Sequence, residues 1–187
     1  MHHWSLISGV LLLVVFIFTV IGTAGPQFNN EVGACNNQFF LYQSRTKCDG
    51  SSAVTSRFDR DEFACKGSYD KITTAYAFAI MACITSGVAT ILAFAAAFVR
   101  RIPTWAIIPL VALTFLFLLI AWPISESVRS VRQCDAPSLK DGGFGISWGL
   151  ALLITAWCLS LLVLVLAAVC HVRPMGHKHG EPDHTRA

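Results

Sequence analysis

Four long stretches without a single Asp, Glu, Lys, Arg or His dominate this chain of 187 residues. They run from Trp4 to about Ala24, from Ile72 to Val99, from Ile102 to Ile124 and from about Gly143 to Cys170. At about 1.5 Å of rise per residue, a helix of each length crosses a hydrocarbon core of roughly 30 Å. Composition agrees, since 13% of residues are charged, against roughly 25% in soluble proteins. The expectation is an all-α membrane protein of one domain over 1–187. Its spans are placed at about 5–24, 72–99, 102–124 and 143–170.

The first run admits a second reading, as a secretory signal with Gly22-Thr23-Ala24 as its cleavage site. Its length and its lack of a basic leader beyond His2 and His3 favour a retained span. In the second run small residues recur at steps of three and four: Ala75, Ala79, Ala82, Ser86, Ala89, Ala93 and Ala97. That spacing holds them on one stripe, a face for close helix packing. Arg100-Arg101 then forms a short turn, so the third run returns antiparallel. Trp105 and Trp122 near its ends suit the two interfaces, Pro109 should kink it, and Pro123 should end it. Gly142-Gly143-Phe144-Gly145 reads as a turn onto the fourth helix rather than a phosphate-cradling loop, because no strand precedes it.

Two loops remain, 25–71 and 125–142, and both fall on the same side of a four-span bundle. They hold Cys35, Cys48, Cys65 and Cys134, an even set that suits an oxidising compartment. Three pairings are open; Cys35 with Cys48 closes a short loop, and Cys65 with Cys134 would pin the two loops together. Gln38 to Tyr42 is rich in strand formers, and Ala53 to Phe58 alternates apolar and polar. Asp49-Gly50 between them tolerates the positive φ of a tight turn. The expectation is a small antiparallel sheet in the first loop, with a third strand near Glu62–Lys66.

Charge alone does not orient the bundle. Arg100, Arg101, Arg173, Lys178 and Arg186 lie on the side of the termini, whereas the two loops carry the other nine Lys and Arg. As a raw count this opposes the positive-inside rule. Nine acids, from Glu31 to Asp141, offset the loop cations, however, and Arg100-Arg101 abuts two helix ends directly. With the loop cysteines, this favours cytoplasmic termini, extracellular loops and a cytoplasmic tail over 171–187. The location expected is the plasma membrane.

Little points to catalysis. No histidine occurs between His3 and His171, and no Cys-x-x-Cys pair is present. Asp59, Asp61 and Glu62 are interleaved with Arg57 and Arg60, as on a solvated face. No cofactor or metal is expected, and His177, His179 and His184 read as part of a solvated tail. The absence of ionisable residues inside the spans counts against coupled transport. With a formal charge of +3 and no basic face interleaved with aromatics, nucleic acid is not an expected partner. Cys170, beside His171, is a candidate for palmitoylation.

A large cysteine loop followed by a small one resembles the claudin superfamily. Within it the chain resembles amastins, surface proteins of kinetoplastid parasites. The resemblance covers nearly the whole chain. It rests on Ile21-Gly22-Thr23, on Phe39 to Cys48, and on Cys134 with Leu139-Lys140-Asp141 and Phe144-Gly145. Gly149 to Leu153 with Ala156-Trp157 completes it. The amastin signature has a cysteine, two residues, Leu-Trp-Gly, and a basic residue shortly before a second cysteine. Here Phe39 precedes Leu41-Tyr42-Gln43, Arg45 is the basic residue and Cys48 the second cysteine. Gln38 stands where the first cysteine is expected, with Cys35 three residues upstream. The resemblance implies a claudin-like bundle and a non-enzymatic surface protein, acting in host or membrane contact through its first loop. Lipid, a second copy, and host or sibling surface proteins are the expected partners. An oligomeric pore and a membrane-bound enzyme are the alternatives. The family is described as glycosylated, but the chain contains no Asn-x-Ser/Thr sequon.

Overall fold

The computed structural model describes residues 2–58, 66–98, 106–132 and 138–172. Four helices, α1 (His2–Ala24), α2 (Lys66–Phe98), α3 (Ile107–Ser130) and α4 (Trp148–Val172), are each long and apolar enough to cross a membrane. Five strands complete the fold: β1 (Phe28–Val32), β2 (Cys35–Phe39), β3 (Gln43–Cys48), β4 (Val54–Arg57) and β5 (Gly145–Ile146). α1 packs on α2 and α4, and α3 packs on the same two, so the helices close into a ring.

The small-residue stripe lies on the inner face of α2. Ala75, Ala79, Ala82, Ser86, Ala89 and Ala93 are all buried, and Ala97 is half-buried near the helix end. Lipid tails are as apolar as a leucine, so this face gains from close van der Waals fit more than from escaping water. Larger side chains from the other helices fill the space the alanines leave. Leu12, Val111 and Val163 meet Ala89 and Ala93; Val15, Leu118 and Leu153 meet Ala82. Hydroxyls inside the bundle satisfy themselves on their own helices. Thr19 donates to the carbonyl of Val15 at 2.7 Å, and Thr23 to that of Thr19 at 2.7 Å. Thr85 and Thr114 share a bond between α2 and α3 at 2.8 Å.

Both prolines of the third run behave differently from expectation. Pro109 is the third residue of α3, where its missing N–H has no intrahelical partner to lose. It therefore demands no kink. Pro123 lies inside α3, which continues seven residues beyond it to Ser130. The extra two turns bury Ser125 and Val128, at 3% and 5% exposure, and that packing outweighs the bond lost at the proline. Trp122 consequently sits within the helix rather than at its end, half-buried with its ring centroid 5.9 Å from that of Trp157. Trp105 lies outside the described residues. α2 likewise begins six residues before Ile72, burying Ser68. At about 1.5 Å per residue its 33 residues reach about 50 Å, well beyond a hydrocarbon core.

The sheet has the order β4-β3-β2-β1-β5 and every pairing is antiparallel. Its hairpins differ from the expected one. Asp49-Gly50 does turn the chain, with Gly50 at φ 78°, but between β3 and β4. Gln38 to Tyr42 is not one strand: β2 ends at Phe39, and Phe40-Leu41-Tyr42 forms the turn into β3. The apolar character there reflects burial in the bundle rather than a place in a ladder. The third strand expected near Glu62–Lys66 falls mostly outside the described residues, and Lys66 itself opens α2. Gly142 to Gly145 leads through a turn into β5 before α4 starts at Trp148.

Candidate interaction surface

Three attachments fix the sheet on one end of the bundle. The first is the β2–β3 turn, which plunges between α2 and α3. Leu41, 4% exposed, packs on Ala75, Ala79 and Ala121, with Tyr76, Phe78 and Ile124 around it. Tyr42 stays at the rim with its ring 5.8 Å from that of Tyr76. Phe40 is buried as well, lining a small cavity with Leu41, Ile72 and Val128.

The second attachment is Gln27, which has no exposed surface. Its amide donates to the carbonyls of Gly22 at 2.7 Å and Gly25 at 3.0 Å. Those carbonyls are acceptors left over at the end of α1, so a side chain caps the helix and starts β1 in one step. The backbone continues the junction: Ser147 N–H donates to the Gln27 carbonyl at 2.9 Å, and Gly149 N–H to that of Pro26 at 3.0 Å. The approach requires glycine, because a Cβ at Gly149 would lie 2.4 Å from the Pro26 oxygen. Sequence reading passed over Gln27 entirely; a lone polar residue directly after Gly-Pro at a helix end was its only trace.

The second loop makes the third attachment. Asn30 Nδ2 donates to the Gly142 carbonyl at 2.7 Å, and β5 pairs with β1 at Phe28 and Asn29. Arg129 sets the loop's height. Its Nε donates to both carboxylate oxygens of Glu126 at 3.0 and 2.9 Å, while its backbone carbonyl accepts from Lys140 N–H at 3.0 Å. Downstream, Ser138 turns the chain and its hydrogen bond holds the Asp141 carboxyl below the usual carboxylate range, with Arg132 and Lys140 adding to the effect.

Beyond those attachments the sheet stands in solvent. Paired residues share a face, and so do residues two apart on a strand. One face therefore carries Phe28, Phe39 and Ser44, then Asn37 and Thr46, then Cys35 and Cys48. Phe28 is buried against the bundle, and the rings continue outward through Phe39 to Phe58, at centroid distances of 6.3 and 4.8 Å. Cys35 and Cys48 are directly paired and joined by a disulfide across a sequence separation of 13. The opposite face is polar throughout.

The structure thus separates the residues singled out in the sequence. Leu41 and Tyr42 of the signature anchor the sheet, Phe39 belongs to the ring row, and Arg45 is exposed on the outward face. Cys65 and Cys134, their pairing, and Asp59, Asp61 and Glu62 lie outside the described residues. So do His177, His179 and His184 and the side chain of Cys170. Cys83 and Cys158 are free thiols within the helices. Among the described residues no group of three or more His, Cys, Asp or Glu converges.

A ring of four spanning helices with a sheet from both loops clamped over one end defines an integral, multi-pass membrane protein. The model of the Amastin family, described as amastin surface glycoprotein, matches residues 13–166. That match covers most of the chain, and the protein belongs to this family. It takes in all five strands and most of each helix. No curated protein matches the chain.

Proposed function

We propose that the protein is a non-enzymatic contact protein of the plasma membrane. Both termini face the cytoplasm, and the sheet meets host, sibling or membrane partners outside the cell. The observation that carries this reading is the division of labour in the first loop. Its apolar turn is spent on anchoring, and beyond it the sheet carries an exposed outward face that is polar by register and a disulfide that braces β2 to β3. A disulfide at the sheet end suits an oxidising exterior, and Arg100-Arg101 in the opposite turn suits the cytoplasmic side. Cys65 and Cys134 fit the same side and complete the even set.

Orientation is tested by labelling intact cells with a membrane-impermeant thiol reagent. Loop cysteines should label only after reduction, and labelling of Cys170 without permeabilisation would reverse the assignment. Contact is tested by adhesion. Cells displaying the chain should hold to a partner-cell monolayer more firmly than cells displaying the C35S/C48S variant. Equal adhesion by both removes the contact role, and steady conductance from purified protein in planar bilayers would replace it with a pore.

A further inference from the structure

The outward face of the sheet has a composition that its role as a lid over the bundle does not call for. By register it carries Asn29, Gln38, Arg45 and Thr55 in one row. Gln43 and Arg57 flank that row on one side, and Glu31, Asn36 and Lys47 on the other. No aromatic or aliphatic side chain belongs to it. Arg45, Lys47 and Arg57 are all exposed. Arg57 is the diagonal neighbour of Arg45 across β3 and β4, and Lys47 lies two residues further along β3. The step along the strand is about 7 Å and the diagonal one about 7 to 8 Å, so the three cations form a bent, evenly spaced line along β3 and β4 at one edge of the sheet. The one acid on this face, Glu31, accepts from Asn36 Nδ2 at 3.2 Å. Among the described residues the ion pairs are Glu126–Arg129 and Arg132–Asp141, so neither joins this line. Asp59, Asp61 and Glu62, next in the chain, lie outside the described residues.

We propose that the Arg57–Arg45–Lys47 line on the outward sheet face binds a linear sulfated glycan. The inference rests on the reading that the sheet faces the cell exterior, and names the partner chemistry there. Three features select the ligand. Evenly spaced cations match a polymer bearing repeated sulfates, and two of the three are arginines, whose planar guanidinium pairs with oxyanions through two hydrogen bonds. The amides of Asn29, Gln38 and Gln43 beside them offer donors and acceptors together, which suits sugar hydroxyls. The missing aromatics remove the stacking platform a single-stranded nucleic acid needs, and the missing apolar side chains remove the insertion an opposed bilayer needs. The protein's own lipid headgroups are behind the sheet, since Phe28 on the other face is buried in the bundle.

The test uses the full chain, purified in nanodiscs, with a heparin oligosaccharide as probe. Binding should fall about tenfold or more in R45Q/K47Q/R57Q, which removes every charge-assisted bond of the line. R45K/R57K keeps the charge and loses the two-hydrogen-bond pairing, so its binding should fall between that of the parent and that of R45Q/K47Q/R57Q. The control K66Q/K71Q changes two cations on α2, off this face, and should bind as the parent does. An intact Cys35–Cys48 bond, read by mass before and after reduction, confirms that each variant is folded. Unchanged binding by R45Q/K47Q/R57Q overturns the proposal, as does an equal loss in K66Q/K71Q. Competition by single-stranded DNA or phosphatidylserine vesicles as effective as by heparin overturns it too, in favour of unselective anion attraction. Because the measurement is made outside the cell, an inverted orientation in cells would leave its result intact, and the two failures can be told apart.

Discussion

The helical ring and the sheet above it are held together in opposite ways. In the ring, each helix satisfies its own backbone, and stability comes from repeated close contacts such as Leu118 and Leu153 against Ala82. Loss of one such contact should leave the others in place. The sheet owes its position to a few specific attachments: a buried leucine, a helix end capped beside a glycine that admits a carbonyl, and the second loop held through Asn30 and β5; one disulfide braces it internally. Strands such as Asn29–Val32 and Arg45–Lys47 bury little, so losing one attachment should release a whole region. The bundle should degrade gradually under mutation, and the sheet abruptly.

Gly149→Val offers the largest break. Its side chain cannot coexist with the Pro26 carbonyl, and overpacking of this kind costs about 3 kcal/mol or more. Amide hydrogen exchange should show β1 and β5 losing protection together while mid-helix amides keep theirs; protection lost throughout would mean that the two regions form one cooperative unit. Leu41→Ala comes next, at about 3 kcal/mol from the cavity left between α2 and α3. It should loosen β2 and β3 and leave the helical circular dichroism unchanged. C35S/C48S should cost roughly 2 to 3 kcal/mol through the freed loop. Faster proteolysis within 35–48 would report it, with the helical core still resistant. Thr114→Val should be the mildest, at about 0.6 kcal/mol, the average for a hydrogen bond between membrane helices. A much larger shift in its thermal transition would show that the bundle, too, depends on single contacts.

The same contrast explains what the sequence revealed. The spans and the alanine stripe could be read because lipid imposes length and helix imposes period, residue after residue. β4 emerged because Val54 to Arg57 alternates. β1 and β3 stayed hidden: apart from Phe28, Phe-Asn-Asn-Glu-Val and Gln-Ser-Arg-Thr-Lys-Cys have no buried residue, so no apolar period marks them. They are strands because their neighbours are, and pairing of that kind is not written locally. Phe40-Leu41 misled for the converse reason, as strand-like residues whose burial is in a turn. Pro123 showed the same override in a helix. A local rule said stop, and the packing of Ser125 and Val128 carried the helix on.

The turn that plants Leu41 has a consequence for how this surface can change over generations. The residues that fasten the sheet and those on its solvent-facing side are different residues. Tyr42 and Leu41 pack towards α2 and α3, while Arg45 and Lys47, a few positions later in β3, expose their side chains on the outward face. Substitutions on the outward face can therefore accumulate without loosening the sheet, limited only by what that face binds. Leu41, the deepest of the fasteners, is buried and stays out of that exchange.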